Sequence, residues 1–187
     1  MKKSGLIILI VVVVIFILGA AGIAWGISHF LARKVSDKVA ESVIKTATGG
    51  NVDLNSSNNS LNIKTKDGSA SFSSNSSLPQ GFPSDIPTPK VGTISASYSG
   101  SGSDSNTGYN VTYNLTAAQA PTASDDYQAQ LKAAGYSVEG TASSNTNGSS
   151  FNIFSAKKGN ITLAVSTSNS PDGTAVMNLT VSTDASN

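Results

Sequence analysis

The sequence predicts an α+β protein held at a membrane, with an N-terminal transmembrane helix continuing into an amphipathic stalk and then a mostly antiparallel sheet with one packed helix. Three observations predict it. Residues 6–27 are an uncharged apolar run, residues 31–43 repeat an apolar side chain at every fourth position, and residues 91–183 alternate short β-patterned segments with one helix-period segment.

The apolar run is long enough to span. At 1.5 Å per residue its 22 residues reach about 33 Å, against a hydrocarbon core of roughly 30 Å. Lys2 and Lys3 precede it, within a tail of residues 1–5. Trp25 and His29 stand at its far edge, followed by Arg33, Lys34 and Lys38, a usual interfacial boundary. The competing reading is a secretory signal peptide with residues 6–18 as its apolar region and a cut after Ala21 or Ala24. Apolar character continues past that point through Ile27 and resumes at Phe30-Leu31, which favours an uncleaved anchor in the cell membrane. The flanking charges are nearly balanced, so they do not orient the span. A downstream chain poor in charge, rich in hydroxyl side chains and free of cysteine favours an extracytoplasmic C-terminal domain. Gly22 and Gly26, with Ala20 and Ala24 beside them, offer a small-residue seam for a weak dimer within the bilayer.

Leu31, Val35, Val39 and Val43 then make one stripe of an amphipathic juxtamembrane helix over residues 28–50. Its other faces carry Arg33, Lys34, Asp37, Lys38, Glu41 and Lys45. Gly49-Gly50 ends it. Residues 51–77 alternate Val52 and Leu54, Leu61 and Ile63, Ala70 and Phe72 with polar residues. They read as a three-stranded β-ribbon whose last turn is Asp67-Gly68. Three such strands carry too little apolar area to fold alone, so the ribbon is expected to lean on the stalk or on the following domain. Residues 78–90 contain four prolines between Pro79 and Pro89 and read as an extended linker, with Leu78, Phe82 and Ile86 tucked against the domain they introduce.

In the main domain, 91–183, strands are expected at 91–98 and 109–115 with a Gly/Ser loop between them. A helix follows from Pro121–Ser124, with Thr122 and Asp125 as a capping box, a buried stripe of Ala123, Tyr127, Leu131 and Ala134, and a stop at Gly135. Strands at 136–139, 151–156, 161–165 and 175–181 complete the order ββαββββ.

No residue stands out as catalytic, cofactor-binding or metal-ligating, and no cofactor is expected. The one histidine, His29, belongs to the membrane edge, and a chain without cysteine cannot build a thiolate metal site. Asp104-x-Asn106-x-Gly108 opens like a calcium loop and lacks the remaining ligands. Ser155-x-x-Lys158 matches a nucleophile motif that requires a helix, whereas this serine falls in an expected strand. Beyond Lys45, nine acidic side chains face six basic ones, so no basic surface for nucleic acid exists. Eight N-x-[S/T] sequons, at Asn55, Asn58, Asn75, Asn110, Asn114, Asn147, Asn160 and Asn178, are open to glycosylation where the machinery exists.

The segments Ile63-Lys-Thr-Lys-Asp-Gly68, Leu78-Pro79 through Pro87, and Tyr127 through Tyr136 resemble an uncharacterised group of small bacterial single-pass membrane-anchored proteins. That resemblance covers most of the chain and implies no catalytic residues. The order of apolar helix, amphipathic helix and sheet is also similar to type IV pilin-like subunits, with Gly5-Leu6 in place of their processing site and Ile10 where they carry an acid. The expectation is therefore a non-enzymatic binding or envelope-associated module, with a pilin-like structural subunit as the alternative.

Overall fold

The computed structural model describes residues 51–55, 60–65, 68–102 and 107–184. The expected transmembrane helix at 6–27, the amphipathic segment at 28–50 and the Gly22/Gly26 seam lie outside the described residues. Among the described residues no helix is long and apolar enough to cross a membrane.

Nine strands are described: β1 Asn51–Asn55, β2 Ser60–Thr65, β3 Gly68–Ser73, β4 Thr93–Gly102, β5 Thr107–Leu115, β6 Ser137–Thr146, β7 Ser149–Lys158, β8 Ile161–Asn169 and β9 Ala175–Thr183. They form one antiparallel sheet in the spatial order β1-β2-β3-β4-β5-β9-β8-β7-β6. Among the described residues one helix, α1 (Ala120–Ala133), crosses from β5 to β6.

This corrects the fold class. The α+β expectation kept a ribbon at 51–77 apart from the sheet of the main domain. Instead β3 pairs along β4, from Gly68 opposite Gly102 to Ser73 opposite Ser97, and the protein is chiefly one long antiparallel sheet with a 14-residue helix. The cause lies in residues 99–102, whose Ser-Gly-Ser-Gly sequence predicts a loop. They continue β4 as strand, pairing on one side with β5 and on the other with β3, so their backbone donors and acceptors are satisfied within the ladder.

The core lies on one face of the C-terminal strands. Val111, Tyr113, Met177, Leu179, Val181, Leu163, Val165, Phe154 and Ala156 alternate inward and are almost fully buried under α1. The helix contributes Ala123, Tyr127 and Leu131. It starts differently from the expected capping box: Gln119 is the N-cap residue and makes no side-chain cap, while its Oε1 accepts from the Thr116 N–H at 3.0 Å. Its end is a Schellman motif around Gly135 (φ +86°). The Tyr136 N–H reaches Leu131 O at 3.0 Å, and the Gly135 N–H reaches Lys132 O at 3.0 Å.

The proline-rich segment packs on the same face. Two turns, Phe82 N–H to Pro79 O and Ile86 N–H to Pro83 O, fold it so that Ile86 is buried and Phe82 meets Tyr109 edge-on at 5.7 Å. Tyr109 Oη donates to Gly81 O at 2.7 Å and Tyr127 Oη donates to Pro87 O at 2.9 Å, which fasten the segment at two points.

Candidate functional site

Antiparallel register puts directly paired residues on one side of the sheet, so each cross-strand row reports a face. On the face beneath α1, one row runs Asn62, Ser71, Ser99, Tyr109, Val181, Leu163, Ala156 and Val138. It is polar up to β4 and apolar from β5 onward. On the opposite face the row running Phe72, Tyr98, Asn110, Thr180, Ala164 and Ser155 changes in the reverse sense. The sheet therefore inverts its amphipathic sense between β4 and β5.

The device is a β-bulge in β4. Ile94 pairs with Tyr113 on the covered face, then Ala96 pairs with Thr112 on the open face, leaving Ser95 as the extra residue. Without it, residues two apart would share a side. One added residue moves all that follow to the other face, so Ile94 packs against the core while Tyr98 does not. Ser95 Oγ donates to Thr112 O at 3.3 Å and satisfies part of the irregularity.

Beyond β4 the open face is free of charge and mostly polar over three adjacent strands, with Ala164 and Val176 as its apolar members. β5 presents Asn110, Thr112 and Asn114; β9 presents Asn178, Thr180 and Ser182; β8 presents Thr162, Ser166 and Ser168. Cross-strand hydrogen bonds hold part of this array. Asn110 Nδ2 donates to Thr180 Oγ1 at 3.0 Å and Thr112 Oγ1 donates to Asn178 Oδ1 at 2.8 Å. Each amide and hydroxyl keeps further donor or acceptor capacity toward solvent. Lys157 and Glu139 come only at the far side, on β7 and β6. At the near border lie the facing glycines Gly100 and Gly108. A Cβ at Gly100 would collide with the Tyr98 ring, so that ring lies over the space left by the missing Gly100 side chain.

The covered face holds a second concentration of polar chemistry. The hydroxyl of Tyr127 ionises far less readily than a free phenol, first because it is buried and then because Tyr113 and Tyr136 lie near it. Burial raises Tyr113 likewise, and burial followed by the charge of Asp85 raises Tyr136. Lys158 Nζ sits 5.5 Å from the Tyr136 ring centroid and 3.9 Å from Asp85 Oδ2, a wide and exposed ion pair. This cluster joins the proline-rich segment to helix and sheet and serves as structural fastening.

The residues weighed from sequence fall apart in space. His29, Asp104 and Asn106 lie outside the described residues, and Gly108 is a strand residue of β5. Ser155 and Lys158 occupy one strand three positions apart, hence opposite faces, and Ser155 Oγ donates to Glu139 O at 2.9 Å. Among the described residues, no three His, Cys, Asp or Glu side chains gather as metal ligands would. The sequons Asn110, Asn114 and Asn178 share the open face, while the Asn160 amide donates to Asp184 O at 2.8 Å. Sequence reading missed the polar array because its members are ordinary strand residues, and only the pairing of β5 with β9 and β9 with β8 brings them together. The alternation Asn110-Val-Thr-Tyr-Asn114 was the available signal.

No family model matches the chain, and no curated protein or solved structure matches it significantly.

Proposed function

We propose that this chain is a membrane-anchored, extracytoplasmic binding protein without catalytic function, whose open face across β5, β9 and β8 receives an uncharged glycan of the cell envelope. The observation that carries this reading is the array of Asn, Thr and Ser on three adjacent strands, interrupted by Ala164 and Val176 and with no ionisable side chain among them. Amides and hydroxyls offer both donors and acceptors, as the hydroxyls of a sugar do, and an uncharged ligand loses nothing by lacking a counter-charge there. The Tyr98 ring at the border supplies an aromatic side chain, the face of which is the surface on which sugar C–H groups pack. The apolar run at 6–27 supplies the anchor, and the charge-poor, cysteine-free remainder suits an exported domain.

The test is co-sedimentation of the detergent-solubilised full chain with insoluble cell-wall polysaccharide. Retention is expected to persist at about 1 M salt, where charge attraction is screened within roughly 3 Å, and to be lost in Asn178→Ala and Thr112→Arg. Binding that vanishes with salt, or that both variants keep, would overturn the reading. Protease digestion of a C-terminal tag in intact cells tests the topology, and a protected tag contradicts export.

A further inference from the structure

We propose that the ligand of the open face is an extended, unbranched chain of uncharged sugars, laid obliquely across the strands from Tyr98 to Phe151. The inference rests on the glycan reading and adds the shape of the ligand and the residue that holds its second end. Among the residues whose side chains are described, Phe151 is the large apolar one most open to water, at 44% exposure. A lone exposed phenylalanine is ordinary on a protein surface. Its place in the register sets this one apart.

Phe151 of β7 pairs with Ser168 of β8, and that row continues through Val176 of β9 to Asn114 of β5, so the ring stands on the open face. Its outer neighbour on β6 is Ser144, too small to cover it. Tyr98 stands on the same face at β4, opposite Asn110. The two aromatic residues therefore occupy diagonal corners of the polar array. They are four strand spacings apart in the order β4-β5-β9-β8-β7, and four residues apart along the strands, as Asn110 is from Asn114. At about 4.8 Å per spacing and about 3.4 Å per residue, the corners lie roughly 23 Å from each other.

The line between them runs over polar side chains. It passes Thr112 on β5, Asn178 on β9 and Ser166 and Ser168 on β8, whereas the apolar interruptions Ala164 and Val176 fall on opposite sides of it. Lys157 and Glu139 stand away from it, toward the other end of β7 and β6. A chain of sugars repeats the complementary pattern at every unit: hydroxyls around the ring edge for the amides and hydroxyls of the array, and C–H groups on the ring face for an aromatic side chain. A single sugar is far shorter than this span and reaches one corner only, so both aromatic contacts are open to an oligomer alone.

The test uses the detergent-solubilised full chain, insoluble cell-wall polysaccharide, and fragments of that polysaccharide graded by length as competitors. Long fragments should displace the wild type and single sugars should not, at equal sugar concentration; a single sugar that competes as well overturns the inference. Phe151→Ala and Phe151→Leu should each weaken binding about three- to tenfold, the scale of one aromatic contact, and Phe151→Trp should keep it. Wild-type affinity in Phe151→Ala would overturn the inference and leave the glycan reading standing, whereas no retention of the wild type would overturn both. Ser166→Arg, on the line, should abolish the retention that Thr162→Arg, four residues away on the same strand, preserves, and equal behaviour of the two would refute the oblique path. Sedimentation supplies the last arm: dimers that Phe151→Ala disperses would assign the ring to a second copy met across the free β6 edge and overturn its role in the site.

Discussion

The two halves of this sheet, β1 to β4 and β5 to β9, share an unbroken ladder and turn their apolar sides in opposite directions. In the C-terminal half the inward rows are large and sealed: Leu163, Val165, Met177 and Leu179 are 0 to 1% exposed beneath a helix whose Leu131 is equally buried. In the N-terminal half the Leu163 row continues as Ser99, Ser71 and Asn62, and the row of Val165 and Leu179 as Ser97, Ser73 and Ser60. Hydrogen-bonded continuity is thus no guide to where a core extends. Backbone pairing satisfies donors and acceptors whatever the side chains are, while the core follows register parity, which a single bulge resets.

The comparison can be broken most forcefully in the sealed half. Leu163→Ala removes a fully buried side chain and should lower stability by about 2–5 kcal/mol, read from the urea midpoint. A loss below about 1 kcal/mol would show that this half is not the main core. Gly92→Ala comes next. Gly92 has φ +82°, and an added Cβ would come within 2.9 Å of Asn114 O and 2.8 Å of Leu115 Cδ2, so a cost of about 1–3 kcal/mol is expected in thermal unfolding.

Tyr127→Phe deletes the hydrogen bond to Pro87 O and should cost about 1 kcal/mol, with faster proteolysis within 78–90 as the specific sign. The buried tyrosines also set an alkaline limit. Folding raises the pKa of Tyr109, Tyr113, Tyr127 and Tyr136, so above the ordinary phenol value near 10 the folded state holds protons that the unfolded state has released. Stability from this source is complete below about pH 10 and falls as pH rises beyond it. Unfolding followed by tyrosinate absorbance should therefore occur at lower urea at pH 11 than at pH 9, and Tyr127→Phe should narrow that gap. The smallest effect is expected on the open face. Thr112→Val loses the contact to Asn178 Oδ1 and should shift stability by no more than about 0.5 kcal/mol, separating this surface from the core that lies behind it.

Individual elements were readable to unequal degrees. Of the expected stripe of α1, Ala123, Tyr127 and Leu131 are buried, whereas Ala134 is the half-buried C-cap residue. Its cap was misread, since Thr122 and Asp125 fit a capping box while the chain begins the helix at Ala120, and Asp125 falls too late to meet the free N–H groups. The β6–β7 hairpin carries an Asn147-Gly148 turn with both residues at positive φ, a strong local signal between the strands expected at 136–139 and 151–156. β6 itself looked too small and polar to be a ten-residue strand. The fold class was not legible, because it depends on β3 finding β4, and the Gly/Ser sequence of β4 beyond Tyr98 has low strand preference. The open-face array was hidden for a related reason. Alternation tells that Asn110 and Thr112 share a side, but the neighbours on that side come from residues 66 to 70 positions away, and only the register supplies them.

The bulge at Ser95 has one more consequence, for how such a protein grows. A hairpin grafted onto the edge of a finished sheet would normally have to extend the existing core, and every side chain of the graft would answer to packing already in place. Parity reversal at the junction removes that demand. Strands added at such a junction take their hydrogen-bonding partners from the sheet without continuing the parity of its core rows. Backbone kinship and side-chain allegiance are thereby uncoupled, and β1 to β3 are free to change their sequence without disturbing Leu163 or Leu179.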